Sequence, residues 1–255
     1  MTQRPQTSPA TRLWRLVRAL WHLLCGVAVS VLILPHLADA PRERRIQAWC
    51  AQLLRIFHVH MQVSGDLPHG DTRSVLFVAN HISWIDIWAL KASCPMQFVA
   101  KAEIRDWPMV GWLAQQTGTL FIERERRHDT GRVVRDVKQA LRQGGCLCFF
   151  PEGTTTDGTQ LKPFKTSLMQ AAIDAEAQVW PLAIRYPGAD GRPNTAIAYH
   201  GTMTMAQSLR AVLKQREILI ELEFAAPIPA AGHDRRQLSH AARQAIAALL
   251  HQPPH

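Results

Sequence analysis

The sequence lacks the short motifs that most often mark nucleotide-binding sites and serine nucleophiles. Its 255 residues contain no G-x-G-x-x-G, no P-loop, no G-x-S-x-G and no C-x-x-C pair. It has only one long apolar run, which argues against a transporter with several membrane spans. The missing motifs also argue against nucleotide hydrolysis and against a serine acyl-enzyme.

The composition predicts one folded α/β-sized unit. Hydrophobic residues make up 47% of the chain and charged residues 19%, which is enough to form a core and too apolar for a disordered protein. The five cysteines are an odd number and are scattered along the chain. We interpret them as small buried side chains in a reducing compartment; a disulfide or metal framework is the less favoured alternative.

The positive charge is concentrated at the amino terminus. The formal net charge is +9, and residues 1–45 supply +5 of it through seven arginines around an apolar stretch. This distribution favours contact with an anionic membrane surface and gives no sign of a nucleic-acid partner.

The apolar stretch itself is Leu20–Leu34, 15 residues without a formal charge. As a helix it would be about 22 Å long, short of the roughly 30 Å hydrocarbon core of a bilayer. A single span and a half-inserted anchor are the favoured interpretations. Arginines flank the stretch on both sides, which favours a segment that dips in and returns to the same face. A buried soluble helix and a signal peptide cleaved after Ala38-Asp39-Ala40 are the alternatives.

A second amphipathic helix is predicted over Arg42–Met61, lying at an interface or packed on the main domain. We therefore divide the chain into a membrane anchor with an amphipathic helix, residues 1–61, and a catalytic domain, residues 62–255.

The main domain alternates between short apolar runs and helical patterns. This alternation predicts an α/β fold with a largely parallel sheet flanked by helices, and an amino-terminal membrane-associated helix or helical hairpin. Predicted strands are Val75–Ala79, Gln97–Ala100, Thr119–Ile122, Cys146–Phe150, Val179–Ile184 and, near a sheet edge, Glu217–Phe224. Predicted helices are Trp84–Ala92, Trp107–Gln116, one around 133–141, Phe164–Glu176 and Asp234–Leu250.

Polar residues follow two of the predicted strands, where sites in such folds lie. His81 and Asp86 come after Val75–Ala79, and Glu152, Gly153 and Thr154 come after Cys146–Phe150. A carboxylate five residues after a histidine can hold one ring nitrogen and leave the other to act as a base. Alone, this spacing is also compatible with a structural histidine, and Pro-Glu-Gly-Thr with an ordinary turn.

Taken together, four blocks resemble the glycerolipid acyltransferase family, whose typical members are 1-acylglycerol-3-phosphate acyltransferases. The blocks are Asn80-HISWI-Asp86, Gly118-TLFIE-Arg124, Phe150-PEG-Thr154 and Val179-WPL-Ala183, and the resemblance covers roughly residues 63–230. The segment Lys101-AEI and its sequel through Trp112 also look like the family's.

The resemblance implies transfer of a fatty acyl group from acyl-CoA or acyl-carrier protein to a lysolipid hydroxyl, with 1-acylglycerol-3-phosphate as the acceptor. His81 would take the hydroxyl proton and Asp86 would orient His81. Asn80, Lys101, Arg124, Glu152, Gly153 and Thr154 would bind substrate, with backbone amides near Gly153 as candidate oxyanion donors. No cofactor and no metal would be required. The enzyme would lie on the inner membrane with its catalytic domain on the cytoplasmic face.

The third block departs from the family pattern at the acceptor site. Thr155 stands where the family usually has an arginine linked with the acceptor phosphate, and Thr156 follows it. Threonine-rich third blocks resemble members that acylate lyso-ornithine lipid, whose headgroup has no phosphate, so both acceptors stay open. A non-catalytic lipid-binding protein and a thioesterase are the alternatives from other classes.

Overall fold

A computed structural model describes residues 6–67, 72–107, 109–122 and 127–251. The helices are α1 Pro9–Leu32, α2 Asp39–Ile56, α3 Ile85–Ser93, α4 Val110–Gln116, α5 Arg127–Arg142, α6 Ser167–Asp174, α7 Met205–Lys214 and α8 Arg235–Leu249. The strands are β1 Val59–Gly65, β2 Val75–Ala79, β3 Gln97–Lys101, β4 Leu120–Ile122, β5 Cys146–Phe149, β6 Gln178–Arg185, β7 Ile218–Phe224 and β8 Ile228–Pro229.

The strands form a largely parallel sheet in the order β1-β7-β6-β2-β5-β3-β4, with β8 also paired to β6. The strands β2 to β6 are parallel to their neighbours in this group, whereas β7 runs antiparallel to β6 and parallel to β1. The central strand β2 lies between β5 and β6 and is buried along its whole length. The predicted α/β class with a mostly parallel sheet is therefore confirmed.

Helices cover both faces of this sheet. Successive β2 side chains point to opposite faces, so each face of the strand packs against a different group of helices. Val75, Phe77 and Ala79 pack in one cluster with residues of α2, α3 and α7. Leu76 and Val78 pack in the other cluster with residues of α5, α6 and α8. A run that is apolar at every position is what a strand covered on both faces requires.

The amino-terminal region is a helical hairpin, one of the two forms predicted for it. The helix α1 begins after Ser8, whose hydroxyl accepts the N–H of Thr11, and it is longer than the apolar stretch suggested. A short 3₁₀ turn, Leu34–His36, connects it to α2. The two helices pack through His22 and Trp49, whose rings stack with centroids 4.8 Å apart.

The second helix is shorter than predicted. It ends at Ile56, His58 takes a left-handed conformation with φ of 56°, and strand β1 begins at Val59. The predicted helical stretch 57–61 was therefore wrong, because the left-handed residue breaks the helix and the next residues pair with β7. The burial of α2 residues such as Leu53 against α3 fits the alternative that this helix packs on the main domain.

The start of α1 is fastened to the end of α7. The Thr7 hydroxyl donates to the carbonyl of Leu213, and the buried Arg15 guanidinium donates to the carbonyls of Gln215 and Arg216 at 2.6 and 2.8 Å. These carbonyls lie at or just beyond a helix carboxyl end, where backbone oxygens lack helical partners. The amino-terminal half of α1 is thus held by polar contacts to the main domain.

The cysteines are all free thiols, although Cys25 and Cys146 are only half-buried and so depart from the predicted burial. Cys50, Cys94 and Cys148 are buried, and burial raises the pKa of Cys50 and of Cys146 to about 12. Thiols held protonated in this way are poor nucleophiles, so these side chains serve packing.

Candidate active site

The carboxyl ends of β2, β5 and β6 bring together residues far apart in the sequence. Because these three strands are parallel neighbours, the residues after each strand meet at one edge of the sheet. Asn80 and His81 follow β2, Glu152 follows β5, and Tyr186 follows β6. Four polar side chains from three strand ends thus form one cluster.

The centre of the cluster is a hydrogen-bonded pair. Nδ1 of His81 lies 2.8 Å from Oδ2 of Asp86. The same carboxylate oxygen accepts the backbone N–H groups of Ile82 and Ser83, at 2.8 and 2.9 Å. A carboxylate in the first turn of α3 also faces the positive end of that helix. These donors compensate for the complete burial of the Asp86 side chain.

Ser83 does not cap helix α3. Its Oγ lies 3.5 Å from the N–H of Ile85, and the residue before α3 is Trp84, whose side chain makes no capping bond. Asp86 binds the free N–H groups ahead of the helix instead. One carboxylate therefore organises both the turn and the histidine.

The imidazole of His81 has a defined orientation. Its ring stacks on Phe150, with centroids 3.8 Å apart and planes within 8°. Because the Asp86 carboxylate can only accept, Nδ1 carries the proton and Nε2 is the free acceptor. The side chain retains 16% of its exposure, while Asp86 retains none. This arrangement can take up a proton at Nε2 and stabilise the resulting imidazolium.

Asn80 joins the ends of β2 and β6. Its side-chain Nδ2 donates to the carbonyl of Ile184 at 3.0 Å, and its Oδ1 accepts the N–H of Ile184 at 2.8 Å. The amide side chain thus continues the ladder beyond Ala79 and fixes the spacing of the two strands next to His81.

Glu152 supports the histidine from the other side. Its two carboxylate oxygens accept the backbone N–H groups of His81 and Lys162, both at 2.9 Å. Burial raises the pKa of Glu152 above its ordinary value, and these two backbone bonds act in the opposite direction. The carbonyl of His81 in turn accepts the N–H of Thr156 at 2.8 Å. The backbone of the third block therefore braces the backbone of the first.

Gly153, Thr154 and Thr155 are less buried than Glu152. Gly153 adopts a φ of 72°, and its N–H donates to the carbonyl of Phe150. That amide is engaged in the turn, so an oxyanion donor in this segment would have to be another N–H. Thr154 is exposed, whereas the hydroxyl of Thr155 donates to the backbone carbonyl of Tyr199.

The two candidate cations are placed differently. Lys101 ends β3 and is exposed. Arg124 lies outside the described residues, so its predicted role is not addressed by the geometry. Within the residues that the structure describes, no group of three or more histidine, cysteine or acidic side chains could hold a metal ion.

Tyr186 is the member of the cluster that the sequence did not reveal. Its hydroxyl donates to Oδ1 of Asp86 at 2.6 Å, and the ring is buried. Burial, together with the nearby Asp86 charge, raises the pKa of Tyr186 well above its ordinary value, so the phenol stays protonated and remains a donor. The signal was its position directly after a buried strand parallel to β2, which is visible only once the strand order is known.

Known proteins share both the sequence and the fold. A sequence model of the acyltransferase family matches residues 59–185. A lyso-ornithine lipid O-acyltransferase of Pseudomonas aeruginosa is 37% identical, spanning 88% of this chain and 87% of the relative. A 1-acyl-sn-glycerol-3-phosphate acyltransferase of Neisseria gonorrhoeae is 34% identical, with 82% of each chain covered.

The structural comparison agrees with the sequence comparisons. The crystal structure of a 1-acyl-sn-glycerophosphate acyltransferase from Thermotoga maritima superposes with a TM-score of 0.68. The match covers 93% of this chain and 96% of the other at 18% identity, which shows a common fold.

A histidine held by a buried carboxylate at the carboxyl edge of a parallel sheet can act as a general base. The relatives show which kind of enzyme carries this pair: the chain belongs to the acyltransferase family. The resemblance found in the sequence blocks is confirmed, and the protein is an acyltransferase.

Proposed function

We propose that the protein transfers a fatty acyl group from acyl-CoA or acyl-carrier protein to the free hydroxyl of a lysolipid. The observation that carries this proposal is the 2.8 Å bond between His81 Nδ1 and Asp86 Oδ2, with Nε2 left as the base. The lysolipid acceptor is supported by the names of both relatives, since each acts on a lysolipid.

The proposed reaction is a direct transfer. Nε2 of His81 takes the proton of the lysolipid hydroxyl while the hydroxyl oxygen attacks the thioester carbonyl carbon. The new C–O ester bond forms, the C–S bond breaks, and the leaving thiolate takes the proton back from His81. Asp86 stabilises the imidazolium in between, as a carboxylate does for a histidine base in other transfer enzymes.

The remaining predicted site residues fall into two groups, those that would position His81 and those that would contact substrate. Asn80 and Glu152 bind backbone groups on both sides of His81, which supports a positioning contribution for them. Thr154 and Lys101 are exposed and Gly153 is half-buried, which leaves all three open to contact with substrate.

For the acceptor we propose 1-acylglycerol-3-phosphate first, giving phosphatidic acid, with Arg124 as the main cation for its phosphate. A second acceptor, lyso-ornithine lipid, is favoured by a specific observation. Thr155 occupies the usual place of a phosphate-binding arginine, and its hydroxyl is bonded to the Tyr199 carbonyl. A threonine cannot replace the paired charged donors of an arginine.

Substitutions at these two positions distinguish the acceptors. If the acceptor is 1-acylglycerol-3-phosphate, Arg124→Ala should lower kcat/KM for this lipid by the equivalent of about 2–3 kcal/mol of transition-state stabilisation, the size of a lost charged hydrogen bond. Thr155→Arg should then be neutral or beneficial. If the acceptor is lyso-ornithine lipid, Thr155→Arg should reduce activity by adding an unpaired positive charge. The measurement is acyl transfer from a labelled donor to each lysolipid, with product lipids resolved.

The same assay separates the competing classes. Label released as free fatty acid, at the same rate with and without lysolipid, would indicate a thioesterase. Unchanged transfer by a folded Arg124→Ala variant on every acceptor would contradict the proposed headgroup contact.

We also propose that the protein works at the cytoplasmic face of the inner membrane, with residues 1–61 as its anchor. Within the described part of the chain one segment, Pro9–His36, is long and apolar enough to cross a membrane. Only 17% of its most apolar stretch is buried inside the protein. Large apolar side chains are exposed along it, among them Trp14, Trp21, Leu24, Val31 and Leu32. An exposed apolar surface of this extent fits lipid contact.

Charges on the exposed side of α1 should release the protein from membranes. We expect the triple variant Trp21→Glu, Leu24→Glu, Val31→Glu to move from the membrane to the soluble fraction, because each charge opposes burial in lipid. The matched control is His240→Glu, Gln244→Glu, Ala248→Glu, which adds charges to the exposed side of α8. Fractionation and immunoblotting report both; equal membrane retention of the two variants would refute an anchor at α1.

This design is preferable to deleting residues 1–61. The deletion would remove buried α2 residues and the first three residues of β1, Val59–Met61, so the remainder could aggregate for reasons unrelated to lipid.

A further inference from the structure

Asp86 uses its two oxygens for different purposes. Oδ2 accepts from His81 and from the backbone N–H groups of Ile82 and Ser83. Oδ1 accepts from the Tyr186 hydroxyl at 2.6 Å, a distance typical of an O–H donor on an ionised carboxylate. The tyrosine contacts the side of the carboxylate that faces away from His81.

The position of Tyr186 is fixed by the sheet. Ile184 is clamped to Asn80 through both its N–H and its carbonyl, and Tyr186 follows two residues later on the same face of the strand. The carbonyl of Tyr186 accepts the N–H of Asn194, which holds the chain as it leaves the sheet. The backbone on both sides of Tyr186 is therefore held by hydrogen bonds, which fixes the position of the hydroxyl beside Asp86.

We propose that Tyr186 is a positioning residue of the acyl-transfer site, whose hydroxyl holds the Asp86 carboxylate ionised and oriented for its bond to His81. This rests on the proposed general-base role of His81. Without the hydroxyl, Oδ1 would be a buried carboxylate oxygen facing an apolar ring. Any state of the pair that has gained a proton would then be favoured, whether the proton sits on Asp86 or on His81.

Tyr186→Phe should therefore move the acidic limb of the pH profile of kcat/KM to higher pH. We expect a shift of about one unit, so that kcat/KM below the limb falls about 10-fold, a change of 1.36 kcal/mol. KM for donor and acceptor should stay unchanged, because the ring is buried behind Asp86. Glu152, Cys148 and Lys162 also carry titratable groups close to the pair, and the substitution removes no bond of theirs.

Two controls distinguish this role from simple packing. Tyr199→Phe makes the same chemical change at the other tyrosine of the chain. The bonds of Tyr199 to Ile82 and Thr155 are made by its backbone, so this substitution should leave the acidic limb of the pH profile in place. Adding Tyr186→Phe to Asp86→Asn should cost little more than Asp86→Asn alone, since the hydroxyl would act through the carboxylate.

The measurement is the pH dependence of acyl transfer by the full-length protein in detergent or bilayer nanodiscs, with thermal unfolding recorded in parallel. A lower unfolding temperature with an unmoved limb would show that Tyr186 serves packing only and would overturn the inference, as would full additivity with Asp86→Asn. Absence of transfer by the unmodified protein would refute the proposed function itself, which is a distinguishable result.

Discussion

His81→Ala should fold and lose acyl transfer by about 10²- to 10⁴-fold, the usual contribution of a positioned general base. The substitution removes the nitrogen that takes the lysolipid proton in the proposed mechanism, while Asp86 keeps its bonds to Ile82, Ser83 and Tyr186. The loss should appear in kcat at saturating donor and acceptor, because neither substrate is held by the missing ring.

The matched control is His240→Ala on the exposed side of α8, which should retain full activity. Circular dichroism and thermal unfolding establish that both variants fold. Turnover by folded His81→Ala within a few-fold of the unmodified enzyme would contradict the direct mechanism.

Asp86→Asn should produce the second large effect, a loss of about 10²- to 10⁴-fold in kcat. An amide at this position carries no negative charge, so the imidazolium formed during transfer is less stabilised, and the amide NH₂ can select the wrong tautomer of His81. Steady-state kinetics with a labelled acyl donor should show little change in KM, since Asp86 is fully buried and touches no substrate.

Asp136→Asn on α5 is the control for loss of one carboxylate, because its side chain is exposed and pairs only weakly with Arg132 at 4.0 Å. A folded Asp86→Asn variant with near-normal kcat would show that His81 needs no charged partner.

The sequence predicted the fold where local pattern and burial agree. β2 and β5 are apolar at nearly every position, and their bounds were predicted to within a residue. Strand β1 was missed because the helical pattern of α2 was extended through Met61. The apolar residues Val59, Met61 and Val63 alternate with polar ones, which is typical of a half-buried strand, and the strand pairs with β7. That pairing also places β7 one strand in from the edge, which agrees with its predicted position near a sheet edge.

The candidate site was predictable only where its contacts are local in the sequence. His81 and Asp86 are five residues apart, so their contact is local and their spacing carried the signal. Tyr186 and Ile184 are distant in sequence from their partners, and nothing in a linear pattern links them to Asp86 or Asn80. The use of Thr155 as a backbone donor to Tyr199 is likewise a product of tertiary structure.

The bond between the Asn80 side chain and Ile184 has a consequence for how activity arises during folding. It spans 104 positions, and the Tyr186–Asp86 bond spans 100. Closing loops of that length carries an entropic cost that is recovered only when β6 pairs with β2. The His81–Asp86 pair can form locally while the chain is still incomplete, but its full support exists only after β6 has docked. A nascent or partly unfolded chain therefore carries the His81–Asp86 pair without the framework that holds it. In the proposed mechanism, efficient acyl transfer would then be confined to molecules whose central sheet is complete.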